Sequence, residues 1–322
     1  MMIEDYRYER LATFAGLPVR DFTVAHREDL DSADIPADVG ARAWRVGIEA
    51  DSSTAFGEVF EVFLDAVDTT RIRALILGNW CVDGDPGIPP EETVGLLIEQ
   101  AARFPGVEAL FVGDMGQEEA EVSWIEHGDP GSLLARFPRL RRFGLRGTTT
   151  LSMEPFGHDA LEEITLQGGG LPPGVVRALA QSKLPALTGV DLYLGTVNYG
   201  GGATPEDLRR ILQAEAFPAL RHLGLRNAEN ADELATALAH APVVAGLEVL
   251  DLSLGNLTDE GAAALLAGQP LTHLAELRLQ HHYLSDAMMQ RVSQALPGVE
   301  VTLDRMKDLY WNPSRRYIAI SE

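Results

Sequence analysis

The chain has 322 residues, 46% of them hydrophobic, and a formal charge of −22 from 26 Lys+Arg against 48 Asp+Glu. That apolar share is enough for a continuous core and excludes intrinsic disorder, while the acidic field repels phosphate backbones and argues against nucleic acid as a ligand. The single cysteine, Cys81, excludes an intrachain disulfide, and no run approaches the roughly 18 consecutive apolar residues of a membrane span. A cytoplasmic protein without a membrane partner is the expectation. The same field would speed encounter with a basic protein or peptide, although acidity also serves solubility and reflects the composition of a source proteome.

Residues 1–70 are expected to form an N-terminal extension and cap. The opening, Met1–Arg10, alternates Tyr with charged residues and lacks the basic start and apolar stretch of a secretion signal. Residues before about 40, mixed in charge and containing Pro18 and Pro36, predict a short hairpin or an ordered extension. Ala43–Ile48 predicts an edge strand, and Ala55–Val67, with Phe56, Val59, Phe60, Phe63, Leu64 and Val67 on one face, an amphipathic helix.

From residue 72 one spacing takes over: an apolar residue, two variable ones, an apolar residue, one variable, an apolar residue. It occurs eight times, at Ile72–Leu77, Val107–Val112, Leu140–Leu145, Leu161–Leu166, Leu187–Leu192, Leu220–Leu225, Leu247–Leu252 and Leu274–Leu279. The middle apolar residues follow one another by 35, 33, 21, 26, 33, 27 and 27 positions, centred near the roughly 20–29-residue period of leucine-rich repeats. Helical patterns separate the copies at 91–103, 172–182, 204–213, 231–240, 258–267 and 285–295. Thr204 and Thr258 read as N-caps, with Pro205 at the first helical position. Each unit is thus a strand plus a helix, returning to a parallel strand by a right-handed crossover.

Leu250-Asp-Leu-Ser-Leu-Gly-Asn-Leu-Thr-Asp-Glu-Gly-Ala-Ala-Ala-Leu-Leu266 resembles the repeat of the ribonuclease-inhibitor-like branch of the leucine-rich-repeat family. Elsewhere the likeness runs through the apolar positions of about residues 70–305, and the turn asparagine recurs only at Asn256 and Asn227. The resemblance implies an α/β solenoid, a right-handed βα horseshoe with parallel strands on the concave face and helices on the convex face. Repeats are expected over 71–305, about eight or nine of them, with a C-terminal cap at 306–322 formed by the aromatic tail after a last short strand, Val299–Leu303. The alternative for that tail is a docking peptide whose Arg315 and Arg316 interrupt the acidic surface. The resemblance also implies a binding scaffold without chemistry of its own, and it carries no partner with it.

Strand alternation selects which side chains face the concave side. One column reads Ile76, Phe111, Gly144, Thr165, Asp191, Gly224, Asp251 and Arg278, and the next includes Arg146, Gln167, Tyr193, Arg226 and Ser253. The binding candidates are an apolar end at Ile76 and Phe111 and a charged zone of Arg146, Asp191, Tyr193, Arg226, Asp251 and Arg278, because aromatic residues beside arginine compose interaction hot spots. Pairing of the charges with one another on adjacent strands is the equally weighted alternative. Loops leaving the strands add a rim of Trp80, Trp124, Tyr199, His281, His282 and Tyr283, unless the tryptophans fold inward.

Catalytic and metal motifs are weak. His281, His282 and Asp286 offer three ligands, but adjacent histidines point apart. Asp83–Gly87 begins like a calcium loop, yet Val94 stands where a bidentate Glu belongs, so a turn is expected. Gly168–Gly174 and Gly200–Thr204 lack the residues of a P-loop or a dinucleotide fingerprint. The sequence therefore predicts a non-catalytic protein-binding or scaffolding module without cofactor or metal. The alternative is an accessory or substrate-presenting subunit of a separate enzyme, taking a peptide or small molecule at the loop edge.

Overall fold

The computed structural model describes residues 9–26, 29, 35–49, 52–81, 90–305 and 316–321. The Asp83–Gly87 segment and Arg315 lie outside the described residues. Among the described residues twelve strands follow in chain order: β1 (Thr13–Phe14), β2 (Leu17–Phe22), β3 (Ala43–Val46), β4 (Ala74–Leu77), β5 (Ala109–Val112), β6 (Arg142–Arg146), β7 (Glu163–Gln167), β8 (Gly189–Gly195), β9 (His222–Ala228), β10 (Val249–Asp251), β11 (Glu276–Arg278) and β12 (Glu300–Thr302). They form one sheet whose spatial order is the chain order. β1 and β2 are antiparallel, and every later pair is parallel.

The apolar spacing fixes the register. Trp44, Leu75, Leu110, Phe143, Ile164, Val190, Leu223, Leu250, Leu277 and Val301 are successive Cα partners across the sheet. A slip of one residue would turn this column out of the core, so burial holds all units in one phase. Their side chains join a continuous core on the helical face, where each fully buried aliphatic side chain contributes about 1.5–3 kcal/mol.

The returning segments are α1 (Phe56–Ala66), α2 (Pro90–Gln100), α3 (Gly131–Leu134), α4 (Pro173–Gln181), α5 (Arg209–Leu212), α6 (Ala231–Leu238), α7 (Asp259–Ala267) and α8 (Asp286–Ala295), with 3-10 turns between some of them. Consecutive helices are locked by their first turns. Asp232 of α6 accepts bonds from Thr258 N and Oγ1 at 2.8 and 2.6 Å, and Asp259 of α7 accepts from Ser285 N and Oγ at 2.8 and 2.7 Å. Thr258 and Ser285 in turn cap α7 and α8. One expectation shortens: the helix read from Thr204 begins only at Arg209. The Asp207 carboxylate accepts from Thr204 N and Oγ1, both at 2.9 Å, and closes a local turn in its place.

The other sheet face is not left open at its N-terminal end. β2 pairs outside β3, so Ala43–Val46 is an interior strand and not the edge strand expected from its sequence. Leu11, Phe14, Ala15, Leu17 and Val19 of this arm pack over Ala43, Ala74, Ile76, Ala109 and Phe111. The Phe14 and Phe111 rings meet edge to face at 5.9 Å. The apolar end that the sequence put on display is covered, with Ile76 0% and Phe111 3% exposed. Gly144 belongs to this arrangement, since the Phe111 ring occupies the space a β-carbon there would need.

Candidate binding surfaces

Beneath the arm lies a buried ionic centre. Asp114, 0% exposed, accepts from Arg45 Nη1 at 2.5 Å, from Leu11 N at 3.1 Å, and pairs with Arg146 Nη1 at 3.3 Å. Arg146 also donates to the carbonyls of Glu9 and Met115 and to Gln167 Oε1. Burial works against the charge of Arg45, but hydrogen bonds to Asp21 and Asp114 outweigh it and hold its pKa above the ordinary arginine value. Arg146 therefore ties the N-terminal arm to the sheet and is withdrawn from the inner surface.

From β7 onward the described residues of the arm leave the inner face uncovered. Arg226 stands over the Tyr193 ring at 4.7 Å and pairs with Asp191 at 3.3 Å and Asp251 at 3.4 Å. Arg278 pairs with Glu276 at 2.6 Å and Asp251 at 3.8 Å. Tyr193 and Asp251 are buried, and Asp191, Arg226 and Arg278 are half-buried. Burial pushes the Tyr193 hydroxyl up to about 12. It also raises the Asp191 carboxyl, against the lowering effect of Arg226 and with added repulsion from Asp251. The charges of the predicted zone thus pair across adjacent strands and form a rigid floor.

A third column, one step back along each strand, was missed: Glu163, His222, Val249 and Glu276 are half-buried on the same face. The alternation that selected Asp191 and Gly224 selects these as well, had it been continued by two residues. Gly189 leaves a depression of about 340 Å³ among Glu163, Thr165, Thr188, Asp191, Arg221 and His222. A β-carbon at Gly224 would collide with Asp191 Oδ1, an oxygen that accepts no hydrogen bond.

The rim candidates are strung along the loop edge, with His281 and Tyr283 meeting at the Tyr317 carbonyl. Trp80 folds inward, 2% exposed, edge-on to the His127 ring at 5.8 Å. Trp124 stays 58% exposed, its indole N–H on Glu121 Oε2 at 2.9 Å. Tyr199 is half-buried in a 3-10 turn, Val197–Tyr199. His281 and His282 are buried, with Nε2 atoms on the carbonyls of Tyr317 and Leu303 at 3.1 and 3.2 Å, and Tyr283 stands beside His281. Among the described residues no three His, Cys, Asp or Glu side chains gather as metal ligands.

Burial lowers both histidines below the ordinary value of 6.5; for His282 the backbone contact at Leu303 and Asp304 oppose this, and Arg305 and His281 add to it. The unfolded chain therefore takes up these protons first. Stability that is full above pH 6.5 should fall as acidification passes through the depressed values. Thermal melts between about pH 7.5 and about pH 5.5 should show this loss, and His282→Gln should reduce it. An undiminished acid slope in that variant would contradict the assignment.

Eight sequence repeats in one register, in one parallel sheet backed by helices, decide the architecture. The chain has the leucine-rich-repeat fold. A crystallographically solved protein from Bacteroides fragilis is similar to this repeat protein with a TM-score of 0.74 at 28% identity, over 82% of this chain and 73% of the other. An internalin from Listeria monocytogenes aligns with a TM-score of 0.37 at 13% identity, over 77% and 70% of the two chains. A leucine-rich-repeat protein from Leptospira interrogans aligns with a TM-score of 0.17 at 13% identity, over 83% and 92%. No protein-family model and no curated protein matches the sequence. The segment resembling the ribonuclease-inhibitor-like branch forms β10 and α7, whereas four-residue helices or 3-10 turns replace that unit in several other repeats. No helix among the described residues is long and apolar enough to cross a membrane.

Proposed function

We propose that this leucine-rich-repeat protein is a non-catalytic, cytoplasmic protein-binding or scaffolding module whose partner docks on the inner face from β7 to β11. One observation carries the reading: the described residues of the chain's own arm cover the inner face over the first repeats and not beyond, while β7 to β11 present a polar surface with a depression at Asp191 and His222. Mutual pairing of Asp191, Arg226, Asp251 and Arg278 pre-organises that surface, so little conformational freedom is lost on docking. Glu163 and Asp191 in the depression, together with the net charge of −22, favour a basic side chain from the partner.

The test is affinity capture from native extract with Thr165→Arg, and with Glu260→Arg on the exposed start of α7 as a control. A basic protein captured by the wild type should be lost with Thr165→Arg and at high salt, and kept with Glu260→Arg. Equal capture by both variants would overturn the docking face. A second reading, an accessory or substrate-presenting subunit binding a peptide at the loop edge, is favoured by one feature: a peptide segment, residues 316–321 of the chain itself, already lies there.

A further inference from the structure

Residues 316–321 run back across the C-terminal ends of the strands, from β11 toward β7. Tyr317 N donates to the Tyr283 hydroxyl at 2.7 Å, while its carbonyl meets His281 Nε2 and the Tyr283 hydroxyl, both at 3.1 Å. Ala319 N donates to Leu254 O at 2.8 Å. The Asn227 amide then grips Ile320 twice, its Oδ1 accepting from Ile320 N at 3.0 Å and its Nδ2 donating to Ile320 O at 2.5 Å. Ser321 O presses on Gly169, where no β-carbon fits. All of these bonds read the segment's main chain. Among its side chains only Ile318 is buried, at 8% exposure, whereas Tyr317 is 55% exposed.

The receiving edge is built for this. Asn227 near the end of β9, Leu254 after β10 and His281 after β11 occupy equivalent places in three consecutive repeats, and all three hold the left-handed conformation, with φ of 53°, 68° and 55°. Left-handed backbone is unfavourable for leucine and histidine, and it persists where surrounding structure dictates it, commonly at ligand clamps. Here it accompanies the turn that presents the Leu254 carbonyl and the His281 ring to the segment.

We propose that this edge is a groove for an extended peptide, which the chain's own residues 316–321 occupy in cis and a separate partner segment of like chemistry occupies in trans. The ligand class is an extended strand with a buried aliphatic residue at the Ile318 position, a small residue next and a second aliphatic residue after it, read through its backbone. Main-chain bonds supply affinity and the single side-chain pocket supplies selectivity, as in strand-addition recognition. A basic residue suits the leading end, where Arg316 lies 3.9 Å from Asp232. The inference rests on the loop-edge reading and is independent of the inner face.

Full-length Ile318→Asp protein, which frees the groove, is titrated with a fluorescent synthetic peptide Arg-Tyr-Ile-Ala-Ile-Ser by anisotropy. The wild type should bind at least about tenfold more weakly, since its tethered segment competes at high effective concentration. Binding to Ile318→Asp should vanish when the first Ile of the peptide is replaced by Asp, weaken when Tyr283→Phe is added, and survive Thr165→Arg, which tests the inner face instead. A folded Ile318→Asp protein that ignores the peptide overturns the proposal. A drop in Tm of more than about 10 °C in that variant does so as well, by making the segment part of the fold. Dimers of the wild type that disappear with Ile318→Asp would make a second copy the occupant and refute a separate partner.

Discussion

Asp114→Ala should lower stability by about 3–5 kcal/mol, the usual cost of removing one member of a buried ion pair. The aspartate lies at 0% exposure between two arginines that are themselves almost buried, with side chains 7% and 4% exposed for Arg45 and Arg146. Its loss leaves two positive groups facing each other without the intervening carboxylate, and it removes the acceptor for Leu11 N that fixes the arm. Asp21→Ala breaks a pair with the same Arg45, but Asp21 is 48% exposed, so its loss should cost about 1 kcal/mol or less. Urea unfolding of the two variants decides the point. Equal losses would mean that the centre under the arm does not hold it.

Asn227→Ala should cost about 2–4 kcal/mol, from lost hydrogen bonds to buried groups and an unfavourable left-handed alanine. The amide bridges Gly168 O, Ile320 N and Ile320 O from a position that is 0% exposed with φ of 53°. Asn227→Gly removes the same bonds without the backbone penalty, so it should be milder by about 1 kcal/mol. Both variants should expose residues 316–321 to limited proteolysis. Protection equal to that of the wild type would show that the asparagine does not clamp the segment.

The register of the sheet was legible because each unit repeats three apolar positions at fixed spacing, and Leu75, Leu110, Phe143 and Ile164 have nowhere else to go once the units stack. Which inner-face residues stay available was not legible. Ile76, Phe111 and Arg146 face that side as the alternation requires, yet the arm that covers them is written in a few apolar residues between Leu11 and Val19, and nothing in that pattern names the surface it packs on. Tyr193 and Asp251 follow the same logic: alternation puts them in the inner-face columns, but their burial depends on how Arg226 and Arg278 of the adjacent strands fold over them. The tail reads in sequence as a cap over the last repeat, and residues 306–315 of that cap lie outside the described residues. Residues 316–321 lie along the loop edge as far as Gly169, held by backbone bonds to Asn227 and Leu254 that leave no apolar signature in sequence.

On the proposed function the inner face is divided, closed by the arm over the first repeats and left open by its described residues from β7 onward. Hydroxyl-radical footprinting of the full chain reads this directly, residue by residue. Fast oxidation of half-buried His222 and strong protection of Phe111 under the arm and of Tyr193 under Arg226 are expected. Oxidation of Phe111 at the rate of His222 would show the first repeats uncovered, against this division of the face.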